Sequence, residues 1–82
     1  MKKTVTMPCL KPGMTEGVLC RQNAAEGDML QAGDVLFEVE TDKVVSEVEA
    51  EEPMRICRWL AEEGDAVVPG GALCEVETEE RR

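Results

Sequence analysis

The sequence predicts an all-β domain, a barrel or sandwich whose two halves are related by a pseudo-twofold axis. The chain has 82 residues, which is enough for one small domain. Its second half repeats its first, and its apolar residues fall in short runs separated by turns, the spacing typical of a small β barrel or sandwich. The helix-friendly segments 24–26 and 61–63 are too short to form stable helices.

The repeat appears when the sequence is shifted by 37 residues against itself. Residues 18–43 then align with residues 55–80, and 12 of the 26 aligned pairs are identical. The identities include a Glu-Gly-Asp turn (26–28 and 63–65) and the ends of two strands at Thr41 and Thr78. Two copies are too few for a solenoid, which needs about three units. They indicate a fold in which each half covers the other.

Each copy contains the same series of predicted elements. A β-type run comes first, over residues 17–21 or 54–59. A polar turn, a short apolar pair (29–30 or 66–67) and a second Gly turn follow, and a strand over residues 35–41 or 72–78 ends the copy. The glycines suit turns that need a positive φ, and both final strands end in alternating apolar and acidic side chains.

In the first copy the final strand continues into a hairpin. If Asp42 and Lys43 form a two-residue turn, Thr41 lies opposite Val44, and Phe37 lies opposite Val48. A one-residue slip would exchange the two faces, so the register is well specified. The predicted inner face is Val35, Phe37, Val39, Val44, Val48 and Ala50, and the outer face is Leu36, Glu38, Glu40, Val45, Glu47 and Glu49.

Composition argues against several classes of function. Eighteen acidic and nine basic residues give a net charge of −9, which argues against nucleic acid and anionic membranes as partners. The chain has no histidine, so it lacks the commonest general base and any imidazole ligand for zinc. The longest stretch without a charged residue, 66–74, is too short to span a bilayer. We therefore expect a cytoplasmic, non-catalytic domain without signal peptide.

The four cysteines are predicted to be reduced. They lie at positions 9, 20, 57 and 74, with no C-x-x-C spacing. Cys20, Cys57 and Cys74 lie in apolar runs, so we expect them to serve as small core hydrophobes. A zinc site made of four thiolates and a regulatory disulfide are the alternatives.

Lys43 is the candidate functional residue. Between Arg21 and Arg55 it is the only base among ten acids. A catalytic lysine needs burial or a neighbouring cation, and the sequence gives neither sign. A solvated surface lysine is the simplest alternative. A lone amine at the tip of a hairpin is nevertheless suited to receive an amide-linked group, so we interpret Lys43 as modified.

The segment Glu40-Thr41-Asp42-Lys43-Val44 resembles the lipoyl-attachment motif of lipoyl domains in 2-oxoacid dehydrogenase complexes. The resemblance extends from about residue 3 to residue 77 and is strongest to the N-terminal lipoyl domain of dihydrolipoyl acyltransferases of the pyruvate or acetoin type. It implies a flattened barrel or barrel-sandwich hybrid of two four-stranded antiparallel sheets over residues 1–78, with 79–82 as a tail or linker. Further matching segments are Met7-Pro8, Met14-Thr15-Glu16-Gly17, Glu26-Gly27-Asp28, Gly33-Asp34-Val35-Leu36 and Glu63-Gly64-Asp65.

The resemblance also implies a cofactor and partners. Lipoic acid would be attached covalently to Lys43 by a lipoate ligase or lipoyl transferase, with Asp42 and Val44 as recognition determinants. The other partners would be a thiamine-diphosphate-dependent decarboxylase, the acyltransferase catalytic domain and dihydrolipoamide dehydrogenase. Met14, Thr15 and Glu16, in the loop 9–16 after the first strand, would contribute to recognition by the decarboxylase; an ordinary surface loop is the alternative.

Two other functions stay open. A biotinyl carrier domain of a carboxylase has the same fold, but such domains flank their lysine with methionines, where this chain has Asp42 and Val44. A structural barrel module would leave Lys43 unmodified. The chain also departs from the family pattern at Met54, where a glycine is usual, so we expect the turn over residues 51–55 to differ.

Overall fold

In the computed structural model, which describes residues 1–10 and 12–79, those residues form eight strands and no helix. They therefore contain no helical segment able to cross a membrane. Lys11 and most of the predicted tail, residues 80–82, lie outside the described residues. The strands are β1 (Lys2–Thr6), β2 (Gly17–Gln22), β3 (Met29–Leu30), β4 (Val35–Thr41), β5 (Val44–Glu49), β6 (Met54–Trp59), β7 (Ala66–Val67) and β8 (Ala72–Glu77).

The strands form two four-stranded antiparallel sheets, ordered β1-β8-β6-β3 and β5-β4-β2-β7. The all-β prediction and the two-sheet architecture are confirmed. The described strands form a sandwich, because no strand of one sheet pairs with a strand of the other to close a barrel.

The predicted pseudo-twofold symmetry is visible in the strand order and in the register. A shift of 37 residues carries β2, β3 and β4 onto β6, β7 and β8 and converts one sheet order into the other, with β5 and β1 as counterparts. The pairing of Val18 with Glu40 becomes that of Arg55 with Glu77. The β-bulge at Cys20 recurs at Cys57. The two copies therefore share irregularities as well as strands.

Reciprocal backbone hydrogen bonds join the halves. The Gly27 N–H donates to the Ile56 carbonyl at 2.7 Å, and its counterpart, the Gly64 N–H, donates to the Leu19 carbonyl at 2.7 Å. Both glycines have φ values near +95° (93° and 95°), a conformation that glycine adopts without steric cost. A turn of each half thus donates a hydrogen bond to a strand carbonyl of the other half.

Two side chains also form reciprocal hydrogen bonds between the halves, although they are of different types. The Gln22 side-chain amide donates to the Ala61 carbonyl at 2.7 Å, and at the counterpart position the Trp59 indole N–H donates to the Ala24 carbonyl at 2.9 Å. The Trp59 ring also meets the buried Phe37 ring edge to face, with centroids 6.5 Å apart. The two aromatic residues of the chain therefore link the two copies.

The core lies between the sheets, and two predicted orientations are wrong. Leu36 was predicted to face outward but is buried, because a β-bulge between Val35 and Phe37 turns both Leu36 and Phe37 toward the core. Val44 was predicted to face inward but is 59% exposed, because it follows the hairpin turn at the end of the sheet. The buried apolar residues are Met7, Leu19, Ala24, Leu30, Leu36, Phe37, Val39, Ala50, Met54, Ile56, Ala61, Val67, Leu73, Cys74 and Val76.

The cysteine prediction is correct for one residue of the apolar runs and wrong for another. Cys74 is fully buried, and Cys57 is half-buried. Cys20 and Cys9 are exposed. Cys20 alternates with the buried Leu19 along β2 and so lies on the outer face of the sheet, as Val18 does. All four are thiols outside any disulfide, and the described residues contain no cluster of three potential metal ligands.

Met54 occupies the position that corresponds to Gly17. Strand β6 begins at Met54 and pairs Leu30 with Met54, just as β2 begins at Gly17 and pairs Val67 with Gly17. The strand pairing is therefore retained despite the missing glycine. The large side chain of Met54 is accommodated in the core.

Candidate functional site

The candidate site is the tip of the hairpin between β4 and β5. Asp42 and Lys43 form its two-residue turn, with φ values of 47° and 66°. Thr41 pairs with Val44, and Phe37 pairs with Val48, as predicted. Positive φ at both central positions is the mark of a type I′ turn, whose twist matches that of the strands.

This turn holds two residues in unfavourable backbone conformations. Among the described residues, Asp42 and Lys43 are the only non-glycine residues with positive φ. Each left-handed residue other than glycine costs roughly 1–2 kcal/mol, somewhat less for Asp. Strand β4 offsets this free-energy cost and holds the turn in place, because its residues Phe37, Val39 and Thr41 are buried below the turn. Strain of this kind is concentrated at functional sites.

The hairpin tip lies at the opposite end of the sandwich from the chain ends. Strand β4 starts directly after the tight turn that follows β3. Strand β3 pairs with the start of β6, and the start of β6 pairs with Glu77 at the end of β8. At that end the Met1 amino group donates to the Thr78 carbonyl at 2.6 Å. The tip lies beyond the far end of the seven-residue β4, roughly 20 Å away.

The Lys43 side chain is exposed and carries no hydrogen bond or ion pair to any described residue. The described ion pairs lie elsewhere, joining Lys3 to Glu52, Arg55 to Glu77 and Arg58 to Glu75 at 2.7, 2.5 and 3.1 Å. The amine therefore lies exposed at the tip of the hairpin, where it is accessible from solvent.

Asp42 and Val44 flank Lys43 directly, and both are exposed. The three candidate residues 42–44 are thus presented together at the tip. Their roles in modification stay predictions.

The predicted recognition residues Met14, Thr15 and Glu16 lie just before β2. Thr15 and Glu16 are exposed, whereas Met14 is partly buried against the core, and its sulfur accepts a hydrogen bond from the Leu10 N–H at 3.4 Å. Met14 therefore also anchors its own loop. The recognition role of all three residues stays a prediction.

Gly17 is a positioning residue that sequence reasoning missed. A Cβ atom at this position would lie 2.7 Å from Val39 Cγ1 and 3.0 Å from Thr41 Cγ2. The missing side chain allows β2 to approach the part of β4 that supports the turn. The comparison of the two copies could not reveal this requirement, because the counterpart residue is Met54.

The sequence is similar to a known protein family and to several known proteins. Residues 3–53 match the family model Biotin_lipoyl, described as "Biotin-requiring enzyme". The chain is 48% identical over 50 residues to the dihydrolipoyllysine-residue acetyltransferase component of the mitochondrial pyruvate dehydrogenase complex of Dictyostelium discoideum, which is 61% of this chain and 8% of that protein. It is also 48% identical over 50 residues to pyruvate dehydrogenase E1 component subunit beta of Rhizobium meliloti, with 61% of this chain and 11% of that protein covered.

Two solved structures are similar. The lipoyl domain of the 2-oxoglutarate dehydrogenase complex from Azotobacter vinelandii superimposes with a TM-score of 0.77 at 26% identity, over 94% of this chain and 98% of that one. A single-chain, multi-domain long-chain acyl-CoA carboxylase superimposes with a TM-score of 0.81 at 22% identity, over 96% of this chain and 7% of that one. The second likeness concerns the fold alone. The chain spans about a tenth of the two curated relatives.

Proposed function

The chain belongs to the biotin- and lipoyl-attachment family, and from this membership we propose that it is a lipoyl carrier domain with lipoic acid joined by an amide to Lys43 Nζ. The observation that carries the proposal is the position of Lys43, exposed at the tip of a strained two-residue turn. A carrier needs an attachment point that projects from a rigid body and leaves the attached group free to reach several active sites.

The residues at the tip fit such a group. The Lys43 amine is exposed and is bound by no described residue, so it can serve as the nucleophile in amide formation once a modifying enzyme has removed its proton. The attached group supplies a disulfide–dithiol couple. The chain itself supplies a fixed attachment point, and tethering raises the effective concentration of the group at each active site.

The residues beside Lys43 favour lipoyl over biotinyl attachment. Biotinyl domains resemble this chain in fold but flank their lysine with methionines, whereas here the neighbours are Asp42 and Val44. The similarity to components of pyruvate dehydrogenase complexes supports the same choice. We propose Asp42 and Val44 as determinants for a lipoate ligase or lipoyl transferase.

The proposed complex is a 2-oxoacid dehydrogenase of the pyruvate or acetoin type. The partners would be its thiamine-diphosphate-dependent decarboxylase, its acyltransferase catalytic domain and dihydrolipoamide dehydrogenase, with Met14, Thr15 and Glu16 contributing to recognition of the decarboxylase. We propose that the parent protein is a dihydrolipoyl acyltransferase, although relatives include an E1 subunit. A cytoplasmic location stays a prediction.

Reductive acylation tests this function. The lipoylated domain is incubated separately with the decarboxylases of pyruvate, acetoin, 2-oxoglutarate and branched-chain complexes, each with its own substrate, and the acyl group gained is measured by intact mass. We expect acetyl transfer from pyruvate or acetoin to be at least about tenfold faster than the 2-oxoglutarate and branched-chain reactions, and Lys43→Ala to gain nothing. Faster acylation with 2-oxoglutarate would contradict the proposed complex, and no acylation by any of the decarboxylases would contradict the carrier role.

A further inference from the structure

A row of side chains, largely apolar, crosses the outer face of the sheet that carries Lys43. Val45 pairs with Glu40, Glu40 with Val18, and Val18 with Ala66, so the row runs across β5, β4, β2 and β7. Residues paired in this way present their side chains on the same face of a sheet. All four residues are exposed, Val45 at 52% and Val18 at 39%. We call Val45, Glu40, Val18 and Ala66 the outer row.

The pseudo-twofold axis provides a comparison within the molecule. The counterpart row on the other sheet is Lys2, Glu77, Arg55 and Met29. There Arg55 takes the place of Val18, and Lys2 takes the place of Val45, with an ion pair of 2.5 Å between Arg55 and Glu77. The same position in the fold thus accepts charged side chains, and the sandwich does not require exposed valines at positions 18 and 45.

Glu40 also differs from its counterpart. Glu77 is paired with Arg55, whereas no cation among the described residues pairs with Glu40. The outer row therefore presents an apolar strip with a carboxylate that forms no ion pair within the described part of the chain. A complementary surface would be apolar and would carry a cation opposite Glu40.

The outer row is continuous with the modification site. Val45 is two residues from Lys43, and Val44, between them, is 59% exposed. A lysine side chain reaches only roughly 6 Å from its Cα atom. An enzyme that acylates Nζ must therefore contact the surface beside the hairpin, whereas an enzyme that acts at the far end of an attached arm need not.

We propose that the outer row is the docking surface for the enzyme that attaches the lipoyl group to Lys43. This inference rests on the proposed function. The enzyme would bury Val18 and Val45 against an apolar surface and place a lysine or arginine against Glu40.

The test replaces the two valines of the outer row with the residue types found at the corresponding positions of the other sheet. In the double variant Val18→Arg/Val45→Lys, the fold is expected to persist, because the other sheet carries those residue types at the same positions. With a purified lipoate ligase, lipoic acid and ATP, we expect kcat/KM for lipoylation to fall at least about tenfold, mainly through a higher KM for the domain. The matched control is Lys2→Val/Arg55→Val, for which we expect a kcat/KM within about twofold of that of the unchanged domain.

The outcomes separate this inference from the proposed function. If the unchanged domain is not lipoylated, the proposed function fails. If it is lipoylated but the double variant reacts at the same rate, or the control slows equally, the docking surface is refuted. Should the charged variant fail to fold, Val18→Thr/Val45→Thr keeps the β-branched shape and removes apolar area; an unchanged KM for that variant would also refute the inference.

Discussion

At the scale of single residues, the contacts between and within the sheets decide which side chains the domain tolerates. Gly17 leaves room that Val39 and Thr41 fill, while the counterpart Met54 is itself part of the core. Cys74 is fully buried, whereas Cys20, also in an apolar run, is exposed because it alternates with the buried Leu19. Sequence predicted the burial of Cys74 from its neighbours, but apolar neighbours do not show which face of the strand a residue occupies, and the alternation of β2 places Cys20 outside.

Replacing Gly17 with alanine should destabilise the domain. The new Cβ atom would lie 2.7 Å from Val39 Cγ1 and 3.1 Å from the Glu40 carbonyl oxygen, so strands must shift at a cost of about 1–3 kcal/mol. The free energy of unfolding from urea titration measures this cost. In a double-mutant cycle, Val39→Ala should relieve part of the clash, so the two changes together should cost less than their sum. Additive effects would show that the close contact is not the cause.

Cys74 should make stability depend on pH above about pH 9. Burial, and secondarily the Cys57 thiol, raises the pKa of Cys74 from 9.0 to about 11. Between these values the thiol ionises in the unfolded chain but stays protonated in the folded one. The free energy of unfolding should therefore fall as pH rises through this window, by up to about 1.4 kcal/mol per pH unit.

The control for this prediction is Cys74→Ala, which removes the titrating group. Urea titrations from about pH 8 to about pH 10.5 should show the stability difference between the unchanged protein and the variant shrinking as pH rises. A difference that stays constant over this range would contradict the assigned cause.

At the scale of elements, local pattern predicted the hairpin but not its irregularities. The alternation of apolar and acidic residues around Asp42 and Lys43 predicted the observed register from Phe37 to Val48. The bulge at Leu36 breaks that alternation, since Leu36 and Phe37 are adjacent and both buried. A strict two-residue alternation of inward and outward side chains cannot predict the extra residue of a β-bulge. The repeat offers a partial signal, because Leu36 and Leu73 are identical and both occupy bulges.

Relieving the strained turn should stabilise the hairpin. The change Asp42→Asn/Lys43→Gly gives the pair that type I′ turns prefer, and we expect the free energy of unfolding to rise by about 1 kcal/mol. Thermal unfolding and urea titration measure the gain. Asp42→Asn/Lys43→Ala is the matched control: it shares the change at Asp42 and removes the same amine but keeps a side chain at positive φ, so it should give no comparable gain. Equal stability of the two variants would contradict the account of strain.

At the scale of the whole molecule, the interlocking of the halves produces a single folding unit. The turn glycines of each copy donate to strands of the other, and Trp59 contacts Phe37 across the copies. The repeat predicted that each half covers the other, but not which groups are exchanged. Gln22 and Trp59 form equivalent hydrogen bonds although their chemistry is unrelated, so residue identity could not have revealed the pair.

A half-chain should therefore not fold alone. A fragment of residues 1–50 retains β1–β5 but loses the strands that receive the Gly27 hydrogen bond and cover its core. We expect it to have the circular dichroism and narrow amide proton shifts of an unfolded chain. The full chain should unfold in one transition, with Trp59 fluorescence and circular dichroism coinciding. A dispersed amide spectrum for the fragment would contradict the interlocked description.

Attachment of a lipoyl group to Lys43 is tested by the mass of the modified domain. The domain is co-expressed with a lipoate ligase and, separately, with a biotin ligase, and the four lysines, Lys2, Lys3, Lys11 and Lys43, are distinguished by peptide mapping. We predict one lipoyl group, located on Lys43 and absent from Lys43→Ala, and no biotinyl group. The absence of a lipoyl group, its attachment to another lysine, or a biotinyl group on Lys43 would contradict lipoyl attachment at this residue.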